Sequence, residues 1–358
     1  MAGETTEGAT RVGLAGLGRF GQLHAAALTA LPEARLAAIC DPNPDALAAV
    51  GERYGVAARF ASFEAMLAAG GIDAVFIVTP EPLHAEQARL AIDRGLPVFL
   101  EKPLAFSAAE GAALVAAAEL AKLLLQLGFV LRFETQHAIV REEIAAGRLG
   151  PLVSLRAKRN CSRAWFPDYG DRVHPIYETS IHDIDLFLWY VGAPCTRVQA
   201  VERNVSGRRY PDGCWALLEF AGGATAMLET SWFVPDGAPA NVLTPTWRGT
   251  LDAELEVIGQ RGTARIRALD SGLALWQPDY AAVPETGLWP EAHGQIGGAL
   301  RAEDAHFIAC ARSGQPSTIA SAADALNGLR IAEAIVEAAK TGRPVELPRA
   351  IAFQPTRR

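Results

Sequence analysis

With 358 residues the chain exceeds what one hydrophobic core usually fills, so two domains are expected. Half of the residues are apolar and 20% are charged, the balance of a globular protein, and a formal charge of −7 argues against nucleic acid or an anionic membrane as partner. Five cysteines (Cys40, Cys161, Cys195, Cys214, Cys310) are scattered without a C-x-x-C pair, which indicates neither a disulfide framework nor a metal site and fits a reducing cytoplasm.

Segment 1–10 is acidic, lacks an apolar core, and reads as a loose tail instead of a signal peptide. From Arg11 the chain reads strand, glycine turn, helix. The turn is Gly16-Leu-Gly18-Arg19-Phe20-Gly21, a G-x-G-x-x-G dinucleotide fingerprint, and all five of the residues just numbered are assigned to the cofactor. The first glycine permits a tight turn, the second lets backbone approach a pyrophosphate, and the third lets helix and strand pack closely. A second apolar strand, 36–40, ends in Asp41, 20 residues beyond Gly21, where a ribose-binding acid is expected. A carboxylate accepts hydrogen bonds from a free ribose 2′-OH and repels a 2′-phosphate, and the next residue is Pro42, not an arginine, so NAD is favoured over NADP. The competing role for Asp41 is a cap on helix 44–54, and both can hold at once.

Strands and helices keep alternating: strand 74–78, helix 82–94, strand 97–100, helix 107–122, strand 124–130. That rhythm predicts a doubly wound parallel sheet in a first domain, 1–128. The run 114–131 is apolar but interrupted by Glu119, Lys122 and Gln126, and falls short of a membrane span. Ligands of such sheets lie at the carboxyl ends of strands, where Thr79-Pro80 and Glu101-Lys102-Pro103 fall. A lysine there can stabilise charge on a substrate oxygen as a hydride leaves or arrives. His84 is left between a cofactor contact and simple packing.

After Gly150-Pro151 the pattern changes to strands that look antiparallel, at 152–159, 197–205, 214–220, 224–233, 254–258 and 264–268, with a hairpin turn at Ala221-Gly-Gly223. Arg156-Ala-Lys158-Arg159 reads as a solvated strand face. A loop of aromatic and hydrogen-bonding residues follows, in which Arg163, Trp165, Tyr169, Arg172 and His174 are candidates to grip substrate. Stretch 178–189 then reads as one helix that places Glu178, His182 and Asp185 at i, i+4 and i+7 on a single face, beside an apolar stripe of Ile181, Ile184 and Leu188. A carboxylate one turn before a histidine can tune it for proton transfer near neutrality; the plain alternative is a surface pair.

Taken together and in order, Gly16-Leu-Gly-Arg-Phe-Gly21, Thr79-Pro-Glu-Pro-Leu-His84, Glu101-Lys-Pro103 and Glu178-Thr-Ser-Ile-His182-Asp resemble the glucose-fructose oxidoreductase/inositol dehydrogenase (Gfo/Idh/MocA) family over nearly the whole chain. The resemblance implies an NAD(P)-dependent dehydrogenase acting on CH-OH groups of a sugar, cyclitol or related polyhydroxy substrate. It also implies a Rossmann domain followed by an α+β domain, 129–358, with a large, mostly antiparallel open sheet that pairs subunits into a homodimer or homotetramer. Carried across, the catalytic lysine is Lys102 and the proton acceptor His182, oriented by Glu178. The chain departs from the family at Glu178, where aspartate is usual, so this carboxylate stands one methylene further out. Substrate contacts fall to Lys102, Arg163, Trp165, His182 and Asp185. Two other classes remain open: a glycosidase that uses NAD transiently on the same fold, and a non-catalytic NAD(P)-sensing protein.

Overall fold

The computed structural model describes residues 8–244, 247–276, 278 and 281–348. Positions 1–7, most of the expected loose tail, lie outside the described residues. The chain divides into two compact units, each drawn from two stretches: Met1–Phe133 with Gly287–Leu326, and Glu134–Thr286 with Asn327–Arg358.

The first unit is built on β1 (Thr10–Ala15), α1 (Arg19–Thr29), β2 (Ala34–Cys40), α2 (Pro44–Arg53), β3 (Ala58–Phe60), α3 (Phe63–Ala69), β4 (Ala74–Ile77), α4 (His84–Asp93), β5 (Val98–Glu101), α5 (Ala108–Ala121) and β6 (Leu125–Gly128). The six strands are parallel in the order β3-β2-β1-β4-β5-β6, so the winding reverses between β1 and β4. Every residue of β4 and β5 is buried, as strands covered on both faces must be. Phe76 and Phe99 stack across them at 4.5 Å, and Phe307, from the helix Gly298–Ser313, meets Phe76 edge-on at 5.0 Å. A segment near the end of the chain thus completes the first unit's core. β3 and α3 have no counterpart among the expected elements; three and seven residues are too short for apolar periodicity to register.

The second unit carries a seven-stranded sheet in the order Thr263–Arg267, Leu251–Gly259, Leu152–Ser162, Thr225–Val234, Gly213–Phe220, Cys195–Arg203, Val345–Glu346. Its pairings are antiparallel except one: Thr225–Val234 runs parallel to Leu152–Ser162. The strand-by-strand expectation is corrected there, because the helix Ile181–Val191 and the strands Cys195–Arg203 and Gly213–Phe220 lie between those neighbours in the chain, and period-2 alternation does not record the direction that results. The hairpin at 221–223 is present, with Gly222 and Gly223 at φ +94° and +93°. Val201, Leu217 and Met227 stand on the sheet's outer face, 53%, 38% and 53% exposed, among Arg156, Lys158, Glu229, Glu254 and Arg265.

Two further expectations are corrected. Arg159 is not on a solvated face: it is buried, and its guanidinium makes two bonds of 2.8 Å to the Asp183 carboxylate. Nor is 178–189 one helix. A short turn, Pro175–Glu178, stops before the helix Ile181–Val191. At the break the Thr179 hydroxyl bonds the Pro175 carbonyl and the Thr230 hydroxyl, both at 2.7 Å, so the side chain serves a neighbouring strand as well as the turn.

Removing the Asp183 charge leaves Arg159 buried without its counter-ion. Asp183→Asn should therefore lower stability by about 3–5 kcal/mol, read as a fall in the urea midpoint with unchanged slope; a midpoint within error of the parent would show that the pair is dispensable.

Candidate functional site

The cofactor end of the first unit is shaped by three glycines with three different reasons. Gly16 has φ +89°, and a Cβ there would lie 2.3 Å from the Val78 carbonyl oxygen. At Gly21 a Cβ would fall 1.9 Å from the Gly16 oxygen, so α1 can approach the end of β1 only because Gly21 lacks a side chain. A Cβ on Gly18 meets nothing within 4 Å. Gly18 is exposed, occupies the N-cap of α1 and supplies no capping side chain, so the positive end of the helix carries no side-chain cap. Phe20 packs edge-on against Trp289 at 5.5 Å.

Asp41 sits at the carboxyl end of β2 with both oxygens engaged by backbone: Oδ2 accepts from Leu17 N–H at 2.7 Å and Oδ1 from Asn43 N–H at 2.8 Å. The cap on α2 is Asn43, whose side chain accepts from Asp45 and Ala46 N–H, and not Asp41. The Asp41 carboxylate is thereby tied to the glycine loop, with lone pairs remaining to accept from two ribose hydroxyls. An open glycine backbone, an uncapped helix N-terminus and a half-exposed acid one strand away fit a dinucleotide with a free 2′-OH.

Two strands further along the same edge, Thr79 follows β4 and Glu101 ends β5. His84 is 1% exposed; its ring nitrogens lie 2.8 Å from the carbonyl oxygens of Pro103 and Thr79, so it ties together the turns after β4 and β5 instead of facing outward. Burial pushes its pKa down against the pull of both carbonyls. Lys102 is half-exposed, its peptide to Pro103 is cis, and its backbone N–H donates to Glu101 Oε2 at 3.1 Å. Behind it lies a cluster that sequence patterns did not single out: His24 Nδ1 is 2.9 Å from Asp304 Oδ1, and Nε2 is 3.4 Å from Glu101 Oε1. Burial alone would discharge that ring, but the charges and hydrogen bonds of Asp304 and then Glu101 outweigh it and push the pKa up to about 10. The only signal was a histidine inside an alanine-rich helix, three residues past Gly21.

In the second unit, residues 181–190 are buried except His182 and Trp189, which are half-exposed. Asp185, assigned to substrate, is only 1% exposed. Glu178 lies on the other side of the break at Thr179-Ser180, so the i,i+4 face shared with His182 lapses, while His182 and Asp185 remain one turn apart on the helix Ile181–Val191. Trp165 is buried, with its indole N–H spent on the Arg248 carbonyl at 2.9 Å. Tyr169 stacks on Trp232 at 5.0 Å under the Arg172 guanidinium, and Arg163 is exposed. His174 caps the short turn by accepting from Ile176 N–H and faces Glu202 at 3.2 Å. Among the described residues no group of three or more His, Cys, Asp or Glu is arranged to hold a metal, and no helix is long and apolar enough to cross a membrane.

The NAD-binding Rossmann-fold model of the GFO_IDH_MocA oxidoreductase family matches residues 10–129, and that family's C-terminal alpha/beta domain model matches 141–347. The scyllo-inositol 2-dehydrogenase (NAD(+)) of Bacillus subtilis (strain 168) is 28% identical over 345 residues, covering 94% of this chain and 96% of the relative. An inositol 2-dehydrogenase of Leifsonia xyli subsp. xyli (strain CTCB07) is 30% identical, covering 78% of this chain and 79% of the relative. Among solved structures, scyllo-inositol dehydrogenase from Lactobacillus casei with bound NAD(H) and scyllo-inositol superposes with a TM-score of 0.80 at 25% identity, over 94% of this chain and 99% of that one.

The glycines separate packing from binding. Gly21→Ala should lower the melting temperature and abolish NAD binding, whereas Gly18→Ala should keep the melting temperature and weaken NAD affinity by about tenfold or more. Thermal shift and fluorescence titration check both; an unweakened Gly18→Ala would show that no pyrophosphate approaches that backbone.

Proposed function

Because the chain belongs to the GFO_IDH_MocA oxidoreductase family, we propose that it transfers a hydride between NAD and a secondary alcohol of a polyhydroxy substrate, an inositol or a sugar. The observation that carries this reading is the placement of Lys102, half-exposed at the carboxyl end of β5 on the same sheet edge as the glycine cradle. NAD, when bound, accepts the hydride. The cofactor is held by the Gly16–Gly21 backbone with Arg19 and Phe20, by Asp41 at the ribose, and by the Thr79-Pro80 and Glu101-Lys102 turns. As the carbinol C–H bond gives up its electron pair, the Lys102 ammonium stabilises the charge gathering on the oxygen and His182 takes the hydroxyl proton, leaving a carbonyl. Glu178 orients His182. Arg163, Trp165 and Asp185 complete our assignment of substrate contacts, and the exposure of Arg163 supports its part in it.

Within this reading, 1–128 binds the cofactor and 129–358 binds substrate and a second subunit. The apolar strip of Val201, Leu217 and Met227, rimmed by charges of both signs, supports a homodimer or homotetramer. Five buried cysteines, none of them in a disulfide, support a cytoplasmic setting. The test is a panel of inositols, aldoses and sugar acids read by NADH absorbance: a dehydrogenase accumulates NADH in proportion to substrate consumed, and a glycosidase using NAD transiently does not.

Two outcomes are expected with the best substrate. NAD should be preferred over NADP, and Asp41→Ser with Pro42→Arg should narrow or reverse the gap; equal use of both by the parent protein would count against the role of Asp41. Lys102→Ala and His182→Ala should each cut kcat by a factor on the order of 10² or more. Alcohol oxidation by the parent should slow toward acid pH, because a protonated imidazole has no lone pair to accept the hydroxyl proton, and His182→Ala should flatten that limb. A His182→Ala protein that keeps both rate and acid limb would move the proton transfer elsewhere.

A further inference from the structure

His24 lies on the buried face of α1 with no exposed side-chain surface, between two carboxylates from distant parts of the first unit. Nδ1 stands 2.9 Å from Asp304 Oδ1, on the helix Gly298–Ser313, and Nε2 stands 3.4 Å from Glu101 Oε1, at the end of β5. Phe76 and Phe99 face the ring at 5.7 and 5.2 Å, so the pairs are shielded from water. Glu101 has little freedom of its own: a Cβ on Gly128 would lie 2.6 Å from Oε1, and Oε2 already accepts the Lys102 backbone N–H at 3.1 Å. One imidazole thus joins the helix that follows the glycine cradle to the carboxylate that holds the Lys102 peptide.

We propose that His24 is a positioning residue for Lys102: bridging Asp304 and Glu101, it fixes the Glu101 carboxylate, which fixes the Lys102 peptide from which the ammonium projects. The inference rests on the hydride-transfer reading above for its consequence in catalysis, but the bridge itself does not. With both carboxylates ionised, acceptors stand on opposite edges of one imidazole, and only the protonated ring has an N–H for each. Two buried carboxylates also need a positive charge between them, which the ring supplies. A ring that merely filled the core would be replaceable by an uncharged side chain of similar size with no effect on Lys102.

Two readouts test this on the full chain, which has seven histidines and few lysines. In 15N-histidine NMR, the signal lost in His24→Gln should be a doubly protonated ring through neutrality, deprotonating only as the pH approaches about 10. In 15N-lysine spectra, the Lys102 amide should shift in His24→Gln and in Asp304→Asn, with the other lysine amides unmoved. With the substrate found by the panel, both variants should lose about tenfold or more in kcat while KM for NAD stays within about twofold. A neutral His24 ring at neutral pH, an unmoved Lys102 amide, or a folded His24→Gln with parental kcat would each overturn the proposal. Should His24→Gln not fold, Asp304→Asn, which keeps the ring and the side-chain shape, carries the same readouts. If the parent oxidises no polyol, the hydride-transfer reading fails by itself, and the two spectra still decide whether the bridge exists.

Discussion

The close approach of α1 to the end of β1 is the constraint on which the cofactor half of the molecule depends. A Cβ at Gly21 would lie 1.9 Å from the Gly16 oxygen, and one at Gly16 would lie 2.3 Å from the Val78 oxygen, so backbone from β1, α1 and the exit of β4 meets at distances only glycine allows. That contact brings the N-terminus of α1 to the point where the strand order reverses between β1 and β4, the place where such a sheet opens a crevice for a ligand. Asp41 reinforces it from the other side, since its bond to Leu17 N–H holds the loop to the end of β2.

Around Lys102 two buried histidines do opposite things, and their neighbours explain why. His84 faces two carbonyl dipoles, which do not offset the cost of burying a charge, and its pKa is pushed down. His24 faces two carboxylates, which more than offset that cost, and its pKa is pushed up to about 10. Each ring lies between two acceptors, and whether those acceptors are carbonyl dipoles or carboxylate charges decides the direction of its shift. Both act on the short Glu101-Lys102-Pro103 segment, so the strand end that carries the lysine is held from two directions.

The second unit solves a different problem, that of presenting one polar side chain from an almost wholly buried helix. Within 181–190 only His182 and Trp189 are not buried, and Asp183 anchors the helix to Arg159 in the neighbouring sheet. Just before that helix begins, the Thr179 hydroxyl is bonded to Thr230 in the sheet. A polar network inside a core must be complete to be tolerated, and this one ties helix to strand through a bidentate ion pair.

What the sequence determined by itself was whatever is written in short spacings. The three glycines state a backbone requirement directly, Asp41 follows at the distance one strand and one helix impose, and the alternation of apolar strands with helices leaves few topologies besides a parallel sheet. Lys102 was legible because it follows a strand in that rhythm. Tertiary structure decided the rest, because each remaining feature joins residues that no local period connects. His24 and Asp304 are 280 residues apart; Thr225–Val234 chose a parallel neighbour across a long crossover; and Arg159, polar in an alternating run, went inward because Asp183 was there to neutralise it. The single helix expected from Glu178 onward fails for the same reason: its periodicity is sound, but the break at Thr179 carries a hydroxyl bonded to a strand 51 residues away, a partner that no local period reveals.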